Sequence, residues 1–121
     1  MPKTILVVED YLDSRILMRF ILEGCGYEVL EAGDGQEAVN ILQNKSPDLV
    51  LMDMSMPVMD GITATKIIRN STNNSQIPII AVTAHGNSLY NEAMAAGCNG
   101  LLSKPVDCES LKPVIERHLS L

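Results

Sequence analysis

Five short apolar segments recur along this chain, with helix-like segments between them. They are "TILVVED", "YEVLEA", "DLVLMD", "IPIIAVTA" and "NGLLSKP". Each has the length of a strand and is rich in Ile, Val or Leu. Strict alternation of strands and helices favours right-handed crossovers and a parallel sheet covered by helices on both faces. The predicted fold class is therefore α/β, doubly wound (βα)5, with a five-stranded parallel sheet.

The apolar pattern also predicts where the strands and helices lie. The first, third and fourth strands are continuously apolar and should be central, whereas "YEVLEA" alternates and should lie at or near an edge. Each helix is expected to bury one apolar face. The predicted faces are Ile16, Leu17, Phe20 and Ile21; Ala38, Ile41 and Leu42; Ala64, Ile67 and Ile68; and Leu111, Val114 and Ile115.

Several residues mark the helix ends. Asp34 and Glu37 have the spacing of a capping box, and Asp107 is a natural N-cap. Gly97 should end the fourth helix, which spans the segment around Tyr90. Pro113 would cost about 3 kcal/mol inside a helix. The fifth helix therefore either starts near Ser110 or bends at Pro113, and we favour the bend.

Length, charge and cysteine content narrow the class of protein. The 121 residues suit one domain, residues 1–121, and its start at Met1 favours a free-standing protein over a piece of a larger one. The net charge of −6, without a basic run, argues against direct binding to nucleic acid. No apolar run is long enough for a membrane span. Cys25, Cys98 and Cys108 suit neither a disulfide framework nor a zinc site, so we expect reduced thiols and a cytoplasmic location.

Polar side chains follow four of the five predicted strands. Because the carboxyl ends of parallel strands meet at one edge, where open α/β folds bind ligands, these groups should lie together. Strand two ends in Glu31 and Ala32, for which we predict no chemical role. The groups at the other four strand ends are Glu9 and Asp10, Asp53, Thr83, and Lys104.

This collection of charges needs a cation. Two carboxylates about 4 Å apart repel by roughly 4 kcal/mol at an effective dielectric constant of 20. Lys104 supplies only one positive charge against three carboxylates. Carboxylate oxygens are the ligands that Mg²⁺ prefers, and the absence of His and Cys from the group disfavours zinc. The sequence therefore predicts a magnesium site.

At this point the chain resembles the receiver domain of two-component response regulators. The resemblance covers the whole chain and rests on "VVED", "DLVLMDMSMPVMDG", "PIIAVTA" and "GLLSKP", in that order and spacing. It implies a CheY-like, flavodoxin-like (βα)5 fold. It also implies that Asp53 accepts a phosphoryl group from the phosphohistidine of a sensor histidine kinase or histidine phosphotransfer protein. Such a chain catalyses only its own phosphorylation and dephosphorylation.

The resemblance implies a role for each residue at the predicted edge. Glu9, Asp10, Asp53 and the backbone carbonyl of Ser55 would hold Mg²⁺, and Thr83 and Lys104 would contact the phosphoryl group. The peptide bond before Pro105 is expected to be cis. The kinase would dock near the first helix. Phosphorylation would switch partner binding through the fourth helix, fifth strand and fifth helix, where Tyr90 is expected to be exposed.

Details of the loops and of one strand follow from the same resemblance. In "MPVMDG", Pro57 and Gly61 should shape the loop, and Met56 and Met59 should pack. Leu101 stands where the family often has an aromatic residue, which argues against an aromatic switch. The interval from Thr83 to Lys104 is one residue shorter than expected, and the missing residue falls in "HGNS". Within that segment, His85 is either a contact for the hydrolytic water or an exposed loop residue.

Three alternative functions fit the sequence less well. A haloacid-dehalogenase phosphatase needs a second Asp two residues after the nucleophile, where this chain has Ser55. A flavin carrier needs a phosphate-binding loop after strand one, where "EDYLDS" is acidic and would repel a phosphate. A pseudo-receiver that binds partners without phosphorylation is disfavoured by the presence of Asp53, Thr83 and Lys104.

Overall fold

The computed structural model describes residues 2–56, 59–84 and 86–119. The predicted alternation of strands and helices is confirmed. No helix within these ranges is long and apolar enough to cross a membrane. In chain order the elements are β1 (Thr4–Val8), α1 (Leu12–Gly24), β2 (Glu28–Ala32), α2 (Gly35–Asn44), β3 (Leu49–Asp53), α3 (Gly61–Arg69), β4 (Ile79–Thr83), a 3-10 turn (Gly86–Leu89), α4 (Tyr90–Ala96), β5 (Gly100–Ser103) and α5 (Cys108–Leu119).

The strands form one parallel sheet in the order β2-β1-β3-β4-β5. The predicted doubly wound (βα)5 fold is confirmed, with β1, β3 and β4 central and β2 at an edge. In the register, Val8 pairs with Met52 and Asp53 pairs with Val82. The carboxyl ends of these strands are therefore level, and the residues that follow them share one edge of the sheet.

Two apolar layers hold the helices against the two faces of the sheet. Alternate strand residues supply the two layers, because successive side chains of a strand point to opposite faces. Met18 and Leu22 of α1 and Leu111 and Ile115 of α5 pack on one face. The residues that α2, α3 and α4 pack on the other face are Ala38, Leu42, Ala64, Ile68 and Ala93.

The predicted helix ends are largely confirmed. The Asp34 side chain accepts a hydrogen bond from the Glu37 N–H at 2.8 Å. Gly97 ends α4 in the left-handed conformation, with φ +117°. The Asp107 carboxylate accepts a hydrogen bond from the Ser110 N–H at 2.8 Å, and α5 begins at Cys108 with Pro113 inside it. A start near Ser110 is therefore wrong, and the bend at Pro113 stays a prediction.

Of the four residues of the predicted buried face of α1, Ile21 packs against the core, but the prediction is wrong for the other three. Ile16, Leu17 and Phe20 are 52%, 58% and 76% exposed, and Met18 and Leu22 are buried instead. Apolar residues occupy most of the circumference of this helix, so periodicity alone could not choose the buried face. In α3, Ala64 and Ile68 are buried as predicted, but Ile67 is 38% exposed.

The prediction for the cysteines is also wrong in part. A disulfide joins Cys25, which follows α1, to Cys108, the first residue of α5. Cys98 is a free thiol, as predicted, and it is buried. The two bonded residues are 83 positions apart, and nothing in their local sequence indicates that α1 and α5 bring them together. The cytoplasmic location stays a prediction.

Candidate functional site

Three carboxylates meet at the carboxyl edge of the sheet. Glu9 and Asp10 follow β1, and Asp53 is the last residue of the neighbouring strand β3. One carboxylate oxygen from each lies within 4.8 Å of the others. Glu9 and Asp53 are only 1% and 4% exposed, whereas Asp10 faces solvent. The predicted convergence of these three acids is therefore observed.

Lys104 reaches into this acidic cluster from the far edge of the sheet. Its backbone N–H donates to the Thr83 carbonyl at 2.7 Å, which places Lys104 directly after β5. Its ammonium group lies 2.9 Å from Glu9 Oε2 and 3.5 Å from Asp53 Oδ2. The bond between Lys104 and Pro105 is cis, as predicted.

Burial controls the charge state of Asp53. It raises the pKa of this carboxyl, which lies at about 6. The hydrogen bond from the Ser55 N–H opposes the rise, Glu9 adds to it, and Lys104 opposes it. Burial lowers the pKa of Lys104, but its pairs with Glu9 and Asp53 outweigh this effect and raise it. The site thus favours a cationic lysine beside crowded carboxylates.

The donor set fits a hard divalent cation. The three carboxylates carry more negative charge than Lys104 neutralises, and burial makes that imbalance costly. Oxygen donors suit Mg²⁺, and no His or Cys belongs to the cluster formed by the described residues. Ser55 donates its N–H to Asp53 Oδ1 at 3.0 Å. Its carbonyl as a further ligand stays a prediction.

Thr83 completes the group of predicted residues at this edge. It is the last residue of β4 and is 1% exposed. Because Asp53 pairs with Val82, Thr83 lies one position further along the neighbouring strand. The structure therefore places Thr83 next to the phosphoacceptor candidate, and its contact with a phosphoryl group stays a prediction.

Gly61 supports Asp53 from the start of α3. A Cβ atom at this position would collide with the Asp53 carbonyl and with Met54. The glycine is therefore required by the close approach of two backbones. Met56 and Met59 pack against the core as predicted. The predictions for Pro57 and His85 lie outside the described residues.

Sequence reasoning missed a second charged group beside the acids. Arg15 of α1 donates to the Glu9 carbonyl at 2.9 Å and pairs with Glu31, at the end of β2, at 3.1 Å. Arg19 also pairs with Glu31. A signal for this arrangement was present, because Glu31 ends a strand beside β1 and a half-buried carboxylate there needs a cationic partner.

An exposed apolar surface on α1 adjoins the site. We define the α1 surface as Tyr11, Ile16, Leu17 and Phe20, which are all more than half exposed. Beside it, a groove of about 300 Å³ runs between α1 and Lys104–Val106. Several large exposed apolar side chains on one helix, next to a candidate functional site, favour a protein-binding surface.

The fold and the acidic edge together define a receiver domain of the response-regulator class. The chain belongs to the response regulator receiver domain family, whose match spans residues 5–116. It is 33% identical to the polar-differentiation response regulator DivK of Brucella anthropi over 120 residues, 98% of each chain.

Solved structures agree with this assignment. The chain superimposes on the receiver domain of a sensor histidine kinase from Pseudomonas aeruginosa PAO1 with a TM-score of 0.93, 33% identity and full coverage of both chains. That structure has a magnesium ion coordinated in its active site cleft. The chain also matches the chemotaxis protein CheY4 of Vibrio cholerae, with a TM-score of 0.92, 32% identity and coverage of 98% and 100%.

Proposed function

We propose that this chain is a phosphoacceptor in two-component signalling and that Asp53 carries the phosphoryl group. The donor is the phosphohistidine of a sensor histidine kinase or of a histidine phosphotransfer protein. One observation carries the proposal. The carboxylate of Asp53 lies at the end of a central strand, within 3.5 Å of the Lys104 ammonium group and beside the Glu9 and Asp10 carboxylates.

The transfer is a displacement at phosphorus. A carboxylate oxygen of Asp53 forms a bond to phosphorus as the bond to the donor imidazole nitrogen breaks, and the electron pair stays on that nitrogen. Lys104 and the Thr83 hydroxyl contact the phosphoryl oxygens, because catalysis of phosphoryl transfer depends mostly on positioning and charge neutralisation. Hydrolysis by water then releases inorganic phosphate and restores the carboxylate.

Glu9, Asp10, Asp53 and the carbonyl of Ser55 are the residues that would hold Mg²⁺. When bound, the ion supplies positive charge against the phosphoryl oxygens. The chain's own residues limit where it can sit, since Glu9 is buried and already paired with Lys104 at 2.9 Å. The magnesium ion in the Pseudomonas aeruginosa receiver domain supports this part of the proposal.

The α1 surface is the proposed docking site for the phosphodonor. It lies on the helix that follows Glu9 and Asp10, and the groove beside Leu17 extends to Lys104, so a partner seated there would approach Asp53 from the open edge of the sheet. Phe20, at 76% exposure, is its most exposed member. Burial of its apolar side chains would contribute roughly 25 cal/mol per Å² to binding.

The proposed output surface consists of α4, β5 and α5. Tyr90 is 48% exposed at the start of α4, as predicted. Leu101 of β5 packs against the core beneath α2, α3 and α4. Phosphorylation would shift an existing equilibrium of this surface by drawing Thr83 toward the phosphoryl group. With leucine at position 101, the shift would use aliphatic repacking instead of an aromatic rotation.

A small phosphodonor tests the function without a partner. The purified chain is incubated with acetyl phosphate and Mg²⁺, and its intact mass is measured. The proposal expects a gain of one phosphoryl group that is abolished by a chelator and is absent in Asp53→Asn. If the wild-type chain gains no phosphoryl group from acetyl phosphate or from histidine kinases, the chain acts as a pseudo-receiver that binds partners without phosphorylation.

A further inference from the structure

Hydrogen bonds hold both backbone polar groups of Glu9, the residue that precedes Asp10. The Glu9 N–H donates to the Ala32 carbonyl at 3.1 Å. The Glu9 carbonyl accepts a hydrogen bond from Arg15 Nη1 at 2.9 Å. That carbonyl belongs to the peptide plane that joins the two acidic residues. Its direction therefore influences where both carboxylates point.

Arg15 is itself fixed by its surroundings. Its Nε atom pairs with Glu31 Oε1 at 3.1 Å, and its side chain is only 19% exposed. Gly33 leaves room for it, because a Cβ atom there would lie 3.3 Å from Arg15 Nη1. Burial raises the pKa of Glu31, but its bonds with Arg19 and Arg15 outweigh this and lower it. Glu31 is therefore a charged anchor for Arg15.

We propose that Arg15, anchored by Glu31, is a positioning residue that holds the Glu9–Asp10 peptide in the orientation required for metal binding. The guanidinium group suits this task because it can donate to two acceptors in fixed directions at once. A lysine has one compact ammonium group and cannot reproduce that fork. The inference depends on one part of the proposed function, namely that Glu9 and Asp10 bind Mg²⁺.

If Arg15 acts by positioning the peptide, its replacement should weaken Mg²⁺ binding, whereas if it acts only through its charge, its replacement by a neutral residue should strengthen Mg²⁺ binding. A positive charge beside three carboxylates opposes the binding of a cation, so removing it should strengthen Mg²⁺ binding. Loss of the hydrogen bond to the Glu9 carbonyl should weaken Mg²⁺ binding. Arg15→Lys keeps the charge and loses the fork, whereas Arg15→Gln loses both. The two variants together separate the effects.

Arg19 provides a matched control. It pairs with the same Glu31 carboxylate, but its bonds go to Glu31 and Glu23, not to the Glu9 carbonyl. Arg19→Gln therefore removes one positive charge and one partner of Glu31 without removing the bond under test.

The experiment measures Mg²⁺ affinity by isothermal titration calorimetry for the wild-type chain and these three variants. We expect the dissociation constant to rise about tenfold in Arg15→Lys, as is typical when the support of a metal ligand is lost. It should also rise in Arg15→Gln, but by less, because loss of the positive charge partly offsets loss of the hydrogen bond. Arg19→Gln should stay within about twofold of wild type, as expected for an exposed ion pair. Amide NMR spectra of the metal-free proteins should show shifts at Asp10 and Tyr11 in the Arg15 variants only.

Three outcomes would overturn the inference. Wild-type affinity in Arg15→Lys, with tighter binding in Arg15→Gln, would mean that Arg15 acts through its charge. Equal losses in Arg15→Lys and Arg19→Gln would indicate a general effect on folding. A wild-type chain that binds no Mg²⁺ would contradict the proposed metal site as well. In the first two cases the proposed function would stand.

Discussion

The ammonium group of Lys104 lies 2.9 Å from a carboxylate oxygen of Glu9, although 95 positions separate these residues in the chain. Glu9 is almost fully buried, so its charge requires a partner inside the protein. The distance from Lys104 to Asp53 is longer, at 3.5 Å. Lys104 is thus held mainly by Glu9, close enough to Asp53 to contact a group that becomes attached there.

Replacing Lys104 with Met should slow phosphorylation by acetyl phosphate at least about tenfold, because the developing charge on the phosphoryl oxygens loses a cation. The rate is measured by intact mass at fixed Mg²⁺ concentration. Lys66→Met is the matched control, since Lys66 is exposed on α3 and its removal changes the net charge equally. Equal rates in wild type and Lys104→Met would contradict the proposed role.

The pKa of Asp53 makes the stability of the metal-free protein depend on pH. Its folded pKa of about 6 is higher than the ordinary value of 3.8. The contribution of this carboxyl to the free energy of unfolding is therefore fully present when the pH is below the ordinary pKa of 3.8, and it is lost as the pH rises through about 6. Asp53→Asn removes the buried charge, so it should be more stable than wild type at pH 7 by on the order of 1–3 kcal/mol.

Urea unfolding without metal at two pH values checks this prediction. The difference between Asp53→Asn and wild type should shrink toward zero near pH 4, where the wild-type carboxyl is largely protonated in the folded state. Saturating Mg²⁺ should stabilise wild type more than Asp53→Asn at pH 7. A wild-type protein that is more stable than Asp53→Asn without metal at pH 7 would be evidence against a costly buried carboxylate.

Gly61→Ala should disturb Asp53 through the backbone. The added methyl group would collide with the Asp53 carbonyl, and overpacking of this kind typically costs about 1–3 kcal/mol. We expect lower stability and slower phosphorylation together. Gly24→Ala is the control, because no atom lies within 4 Å of its added Cβ and alanine favours a helix. If Gly61→Ala is as stable as wild type, the backbone next to Asp53 accommodates the methyl group, and the proposed requirement for glycine is wrong.

The α1 surface should be required for phosphoryl transfer from protein donors but not for transfer from acetyl phosphate. Phe20→Ser and Leu17→Ser should keep wild-type rates with acetyl phosphate and lose most transfer from a phosphorylated histidine kinase or phosphotransfer protein. Ile67→Ser is the control, since Ile67 is an exposed apolar residue of α3 on the opposite side of the sheet. Unchanged transfer from every protein donor that phosphorylates wild type would exclude this docking site.

The sheet and its acidic edge were predictable because both depend on local patterns. Continuous apolar strands indicate the central positions. The rule that parallel strands share one carboxyl edge then predicts, from sequence alone, that Glu9, Asp10, Asp53 and Lys104 lie together. Caps at Asp34 and Asp107 are equally local. The family motifs agree with the prediction of the acidic edge.

The predictions that were wrong or missing concern contacts between segments that are distant in the sequence, and the pattern of a single segment does not indicate such contacts. Phe20 belongs to a helix that is apolar on nearly every side, so only packing decides which residues face the core. The Cys25–Cys108 disulfide links residues 83 positions apart. Glu31 indicated that a cationic partner was needed, but the contact of Arg15 with the Glu9 carbonyl could not be predicted, because backbone carbonyls have no signature in a sequence.

Trapping of the phosphorylated residue tests the central claim most directly. After reaction with acetyl phosphate and Mg²⁺, sodium borohydride reduces an aspartyl phosphate to homoserine, and peptide mass spectrometry locates the change. We expect homoserine at position 53 alone, and none when Mg²⁺ is removed. Homoserine at another aspartate, or an unchanged Asp53 in a phosphorylated protein, would contradict the assignment of Asp53 as the phosphoacceptor.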